Sequence, residues 1–141
     1  MNIPSKEFVI SELQDYIKIS LIKLPKYHVF YNGIYNKEDL LICTPESKLH
    51  INGHGWIDIT YKQIDLLKKA KNSIIALRLE GNKVYYINSD ELLSYFTPTS
   101  MHNNSREGNH WKLYIWPKHI EIRGNAKKLL VEPNKIKTLS I

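Results

Sequence analysis

Aromatic and basic residues alternate with apolar ones near the C-terminal end of the sequence. In HWKLYIW and HIEIRG one set of alternate positions is apolar, and the other includes Lys112, Tyr114, Trp116, His119 and Arg123. Aromatic rings can stack on nucleic-acid bases, and cationic side chains can pair with phosphates. These five residues predict a nucleic-acid-binding surface. Cross-strand packing of the same rings, or burial of Trp116 under the tail, is the alternative explanation.

Two further cations are assigned to this predicted surface. Arg106 lies in the polar stretch PTSMHNNSREGN, and Lys62 lies on the exposed side of a predicted helix. A small-ligand alternative also stays open. Arg106 and Arg123, with Asn103 and Asn104, could hold a nucleotide by pairing with its phosphate while an aromatic ring stacks on its base.

Other catalytic patterns have little support. His50 and His54 have the four-residue spacing of a helical zinc pair, but Gly53 and Gly55 disfavour a helix, so ordinary surface histidines are expected. The sequence contains no phosphate-binding glycine loop, nucleophile elbow or cysteine-protease signature. P-loop nucleotide hydrolysis, Rossmann-type dinucleotide binding and these triad hydrolases are therefore not supported.

The elements that must position these residues are organised around SIIALRL, residues 73–79. Its nearly unbroken apolar run is typical of a central strand covered on both faces. Before it, Thr60 and Gln63 form the pattern of a capping box at the start of an amphipathic helix. After it, Gly81-Asn82 predicts a tight turn into the strand KVYYI, followed by the short helix ELLSYF.

The N-terminal third predicts a helix and three strands. Helical spacing extends from Pro4 to about Tyr16, and alternation from Ile17 predicts a strand before Pro25. YHVFYNG and DLLIC predict two strands with a turn at Asn32-Gly33, whereas PTSMHNNSREGN predicts a mobile loop. We therefore predict an α/β fold: one domain over residues 1–141, with its core at 4–125 and a C-terminal tail at 126–141. It has a central mixed β-sheet flanked by helices and a C-terminal antiparallel hairpin.

Composition narrows the class of partner. The 141 residues include 20 Lys and Arg against 14 Asp and Glu, a formal charge of +6, which favours a polyanion such as DNA. Cys43 is the only cysteine, so no intramolecular disulfide is expected. No apolar run approaches the roughly 20 residues of a membrane helix, and no signal-peptide pattern opens the chain. A cytoplasmic protein with no membrane association is expected.

The order of the predicted elements and one short motif resemble those of a known protein family. Glu46-Ser47-Lys48 follows LLIC, and Gln63 lies early in TYKQIDLL, ahead of the buried strand and its hairpin. In these features residues 20–96 resemble the PD-(D/E)XK nuclease superfamily, most closely its Holliday junction resolvase branch. The resemblance implies a homodimer that cuts branched DNA with Mg²⁺, because Mg²⁺ neutralises the scissile phosphate and activates the attacking water.

The resemblance also implies an active site. Glu46 would be catalytic and would bind Mg²⁺, and Lys48 would position the attacking water. Asp39 and Asp58 are the further carboxylates available as metal ligands. The pattern departs from the family at Lys26, where the family has an aspartate after proline, and a cation there would repel Mg²⁺.

Three functions are consistent with this sequence. The first is a Mg²⁺-dependent endonuclease acting on branched or structured DNA. The second is a catalytically inactive DNA-binding relative, since Lys26 replaces the metal-binding aspartate. The third is a small viral or defence-related protein that binds a nucleotide ligand or a protein partner, with no cofactor.

Overall fold

The computed structural model describes residues 2–141, which form three α-helices and two β-sheets. The helices are α1 (Lys6–Ile17), α2 (Tyr61–Lys69) and α3 (Ser89–Leu93). The strands are β1 (Ile22–Lys23), β2 (Phe30–Tyr35), β3 (Glu38–Cys43), β4 (Glu46–Ser47), β5 (Gly55–Thr60), β6 (Asn72–Leu79), β7 (Lys83–Asn88), β8 (His102–Asn104), β9 (Gly108–Ile115), β10 (His119–Ile122) and β11 (Lys128–Leu130). The α/β class, the mixed sheet and the C-terminal antiparallel strands are those predicted from the sequence.

Strand β6 is the centre of the first sheet, sheet A, as its apolar run predicts. It pairs in parallel with β3 and β4 and antiparallel with β7, while β2 and β1 extend the sheet beyond β3. Successive side chains point to opposite faces of a strand. Ile75 and Leu77 therefore enter the core shared with the second sheet, and Ile74 and Ala76 pack in the cluster under α1.

The second sheet, sheet B, is antiparallel and has the strand order β11-β10-β9-β5, with β8 also paired to β9. Its inner face packs against sheet A through alternate apolar residues. These are Ile57, Ile59, Trp111, Leu113, Ile115, Ile120 and Ile122. The apolar face predicted for the C-terminal hairpin is thus confirmed, and its opposite face is left toward solvent.

Helix α2 connects the two sheets, and its predicted capping box is confirmed. The Gln63 backbone N–H donates to the Thr60 hydroxyl at 3.2 Å, and the Thr60 N–H donates to the Gln63 side-chain oxygen at 3.0 Å. These bonds satisfy two donors that a helix start leaves unpaired. Ile64 and Leu67 are buried, so the helix closes one side of the core between β5 and β6.

The strand predicted from Ile17 is wrong, because α1 continues through that residue. Val9, Ile10, Leu13 and Ile17 lie on one buried helical face, which extends the 3.6-residue period. Lys18 then ends the helix in the left-handed conformation, with φ of 67°, and β1 comprises only Ile22–Lys23.

The turn predicted at Asn32-Gly33 is also wrong, because β2 runs through both residues. The turn lies at Asn36 and Lys37, whose φ angles are 49° and 66°, as a two-residue hairpin loop requires. Gly33 is instead needed for close packing. A Cβ atom there would lie 2.5 Å from the Ser20 carbonyl oxygen.

The mobile loop predicted at residues 98–109 is wrong in part, since it contains strand β8. His102 pairs with His110 in register, and a turn ending at Gly108, with φ of 70°, joins β8 to β9. The tail also contributes to the core, through the buried side chains of Leu129 and Leu139. Among residues 2–141, no helix has the length and apolar character needed to cross a membrane.

Candidate nucleic-acid interface

The solvent-facing side of sheet B, here called the outer face, carries the polar and aromatic residues that alternate with its core residues. Trp56 on β5 lies opposite Tyr114 on β9, and Asp58 lies opposite Lys112 in the next row. The inner residues between them are buried, so the two-residue period directs this second set outward. The predicted alternation of β9 thus places its aromatic and cationic side chains on one surface.

Six aromatic and imidazole side chains on this face contact one another, and we call them the ring cluster. The Trp56 and Tyr114 ring centroids lie 5.3 Å apart, edge to face, and Trp116 and His119 stack at 6.1 Å. His54 lies 4.8 Å from the Trp116 ring, between the two pairs. The cluster comprises His50, His54, Trp56, Tyr114, Trp116 and His119.

Sequence reasoning missed His50 and His54 as members of this cluster. They are not on a helix: the His50 N–H donates to the His54 carbonyl at 2.8 Å across a turn in which Gly53 has φ of 85°. The turn stacks their rings at 5.6 Å, and His54 is half-buried instead of being an ordinary surface histidine. The signal was the two-residue spacing of His54, Trp56 and Asp58, which the adjacent glycines made hard to interpret.

Two cations flank the ring cluster. The Lys112 Nζ lies 5.4 Å from the centre of the Trp56 ring and 3.7 Å from the Asp58 carboxylate. The Arg123 N–H donates to the Lys112 carbonyl at 2.9 Å, which places exposed Arg123 beside Lys112. A cation over an aromatic face is stabilised by the ring quadrupole. The structure therefore brings rings and positive charge into contact.

The remaining residues predicted to bind nucleic acid or nucleotide lie outside this contact. Arg106 is exposed in the turn between β8 and β9, and Lys62 is exposed on α2. Asn104 is engaged within the same turn, where its side-chain oxygen accepts from the Arg106 and Glu107 N–H groups. The Asn103 amide donates to Asn109 at 2.6 Å.

A group of potential metal ligands lies at the other end of the outer face. One ligand atom each from Asp58, Glu107 and His110 lie within 4.8 Å of one another. The pKa of neighbouring His102 is lowered, mainly by partial burial and to a smaller extent by Arg123, Lys112 and His110. Asp58 is the one residue of the sequence-derived metal set that belongs to this group. Sequence reasoning missed Glu107, which it placed in a loop, and left out His110, which it placed at the start of the strand HWKLYIW without a recognisable acidic partner.

The other residues of the nuclease-like motif are elsewhere in the fold. Glu46 on β4 pairs with Arg78, its Oε1 atom accepting from the guanidinium at 3.1 Å. Lys48 follows β4 and is exposed, and Lys26 lies in a turn with φ of 72°. Asp39 lies at the start of β3, and the strand itself extends about 13 Å from Asp39 to its end at Cys43. The structure does not bring Asp39, Glu46 and Asp58 together.

Comparison with known proteins gives no family for this chain. No protein-family model matches the sequence, and neither curated proteins nor solved structures give a significant match.

Proposed function

We propose that this protein binds DNA through the outer face of sheet B, with unpaired bases stacking on the ring cluster and phosphates pairing with Lys112 and Arg123. The observation that supports this most directly is the contact of six rings with one another and with Lys112 on one sheet surface, next to Arg123. Stacking requires exposed base faces. The DNA best suited to the surface is therefore one with unpaired bases, as at a branch point.

Exposure and charge support the same proposal. Trp56 is 38% exposed although large aromatic residues are usually covered, and Arg123, next to Lys112 in the sheet, is exposed as well. The formal charge of +6 adds a long-range attraction for a polyanion. Binding should therefore weaken steeply with salt, because phosphate contacts release condensed counterions.

Variants of exposed residues test the surface. We expect Trp56→Ala to weaken binding of a labelled four-way DNA junction about tenfold, since stacking contributes about 1–3 kcal/mol per base. Arg123→Ala should also weaken it and should lower the salt dependence by about one phosphate contact. Fluorescence anisotropy at several salt concentrations measures both effects.

The matched control is Lys23→Ala, which removes an exposed cation from β1 at the edge of sheet A. It lowers the net charge by the same amount as Arg123→Ala, so a difference in DNA affinity between the two variants reports the location of Arg123 and not its charge alone. If Lys23→Ala weakens binding as much as Arg123→Ala, or if Trp56→Ala has no effect, the outer face is not the binding surface.

A nuclease-like fold with Mg²⁺-dependent cleavage is the second candidate. The order of elements from α1 to β7 and the Glu46-Ser47-Lys48 motif support it. The Arg78 guanidinium bonded to Glu46 would have to share that carboxylate with Mg²⁺. Cutting of the junction in Mg²⁺ but not in EDTA, lost in Glu46→Ala and Lys48→Ala with binding retained, would establish this activity. Binding without cutting would identify a catalytically inactive relative.

Three further properties remain part of the proposal. A homodimer is expected from the family resemblance, and its mass in solution can be measured by light scattering. A cytoplasmic location is supported by the single cysteine, Cys43, which is buried and unpaired. A nucleotide or protein partner is the alternative to DNA; thermal stabilisation by a free nucleotide but not by DNA would favour the nucleotide.

A further inference from the structure

The group formed by Asp58, Glu107 and His110, here called the metal cluster, lies where β5 and β9 meet the β8–β9 turn. The three potential ligand atoms lie within 4.8 Å of one another, although Asp58 is far in sequence from Glu107 and His110. Asp58 and Glu107 are half-buried, and His110 is 1% exposed. An imidazole with two carboxylates is a ligand set suited to Zn²⁺.

The His110 ring shows how the cluster could bind a cation. Its Nδ1 atom lies 3.0 Å from the Gly108 carbonyl oxygen. A carbonyl can only accept, so Nδ1 carries the proton, and Nε2 of the neutral ring presents a lone pair. That Nε2 atom is buried and has no hydrogen-bond partner within residues 2–141. Metal-binding histidines have this arrangement, with the outer nitrogen donating to a carbonyl and the inner one free for the metal.

The Asp58 carboxylate is also oriented by its neighbours. Its Oδ1 atom accepts from the Trp56 indole N–H at 2.9 Å, and its Oδ2 atom lies 3.7 Å from the Lys112 ammonium. Each carboxylate oxygen has two lone pairs, so these contacts leave acceptor capacity. Hydrogen bonds of this kind hold a ligating carboxylate in one orientation.

His102 lies beside the cluster and has a similar feature. Its ring centroid is 5.9 Å from that of His110, and its Nε2 atom is likewise buried without a partner. Buried polar atoms are nearly always hydrogen-bonded, so two adjacent unpartnered imidazole nitrogens need an explanation. A cation bound to the His110 Nε2 atom accounts for the unpartnered nitrogen of that ring, which belongs to the metal cluster.

From these observations we propose that Asp58, Glu107 and His110 bind one Zn²⁺ ion through two carboxylates and the His110 Nε2 atom. Three protein ligands leave a fourth position for water or for an oxygen of a bound anion, as in zinc sites that are not purely structural. Asp58 also contacts Trp56 and Lys112 of the proposed DNA-binding surface, so DNA binding is measured in EDTA to separate the two proposals.

The test is calorimetric titration of the full chain, first freed of metal by a chelator, with Zn²⁺ and separately with Mg²⁺. Wild type should bind one equivalent of Zn²⁺, and Mg²⁺, which prefers oxygen ligands, should bind far more weakly. His110→Asn and Glu107→Gln should each lower the Zn²⁺ affinity at least tenfold. Circular dichroism of each variant establishes that it remains folded.

Two controls and a spectroscopic readout make the result specific. His28→Asn and Asp15→Asn remove an exposed histidine and an exposed carboxylate away from the cluster, and should leave the affinity unchanged. Co²⁺ used in place of Zn²⁺ should give visible ligand-field bands, and Glu107→Gln should abolish them. Glu107 is a half-buried residue of the turn and not a core residue, so this variant should remain folded. Absence of one-to-one binding by wild type, or equal affinities in the Glu107 and Asp15 variants, would overturn the proposal.

Discussion

Arg78 is a buried cation on the otherwise apolar central strand. It is 3% exposed, and its guanidinium donates to the Thr44 carbonyl, the Thr44 hydroxyl, the Pro4 carbonyl and Glu46 at 2.8–3.1 Å. A buried charge is tolerated only when it is fully hydrogen-bonded. Arg78 therefore connects the N-terminal segment at Pro4 to Thr44 in the β3–β4 link. The nearly unbroken apolar run of SIIALRL did not predict this role.

We expect Arg78→Ala to lower the free energy of unfolding by about 3 kcal/mol, because it leaves several buried acceptors without a donor. Glu46→Ala should cost less than about 1 kcal/mol, because its side chain is 55% exposed and Arg78 keeps its bonds to Thr44 and Pro4. Urea unfolding measures both. Equal losses in the two variants would show that the ion pair, and not the carbonyl contacts, is what Arg78 contributes.

Tyr86 makes stability depend on pH in the alkaline range. Burial, with a smaller contribution from Glu12, raises the pKa of Tyr86 from 10.0 to about 12. Between these values the unfolded chain loses the phenol proton while the folded chain retains it, so stability decreases as the pH rises from about 10 to 12.

Tyr86→Phe should reduce this loss of stability between pH 10 and pH 12, as measured by urea unfolding across that range. Tyr61→Phe is the matched control, because the Tyr61 side chain is 57% exposed. If Tyr86→Phe unfolds with the same pH dependence as wild type, Tyr86 is not the group responsible.

At the scale of elements, the β2–β3 hairpin has two positions that suit glycine for different reasons, one because of close packing and the other because of a positive φ angle. Gly33 lies within β2 and is needed for contact with Ser20, whereas Lys37 occupies the left-handed turn conformation that suits glycine. Asn32-Gly33 predicted the turn because that dipeptide is a frequent hairpin signal. Packing between β2 and residues 19–21, which no local pattern encodes, explains the error.

This difference predicts opposite effects of two substitutions. Gly33→Ala should destabilise by about 1–3 kcal/mol, because its Cβ would lie 2.5 Å from the Ser20 carbonyl oxygen. Lys37→Gly should stabilise by roughly 0.5–1 kcal/mol, because it relieves a positive φ of 66°. Asn32→Ala, at an exposed position of β2, is the control. Destabilisation by Lys37→Gly would contradict this account of the turn.

Elements defined by period and capping were predictable from the sequence, and those defined by tertiary contact were not. The capping box of Thr60 and Gln63, the buried strand β6 and the inner face of β9 and β10 follow from local pattern. Strand β8 did not, because HNN has no apolar alternation and is stabilised by pairing with β9. The metal cluster was missed for this reason, since it needs the β8–β9 turn to bring Glu107 against Asp58 and His110.

At the scale of the whole molecule, two sheets share one core and leave the outer face of sheet B free. The sequence predicted one mixed sheet with a hairpin, and the chain divides its strands into a mixed and an antiparallel sheet joined through α2. The local pattern of WIDI predicts a strand but does not indicate which sheet it joins. Its pairing with β9 places Trp56 beside Tyr114. The ring cluster is therefore a product of topology, although half of its members were recognised from alternation alone.

The most direct test of the central claim is binding of wild-type protein to a labelled four-way DNA junction and to a blunt duplex of equal length, in EDTA at two salt concentrations. We expect tighter binding to the junction, whose branch point can expose base faces, and an affinity that falls steeply with salt. No binding to either DNA at the lower salt concentration would contradict DNA binding by the outer face of sheet B.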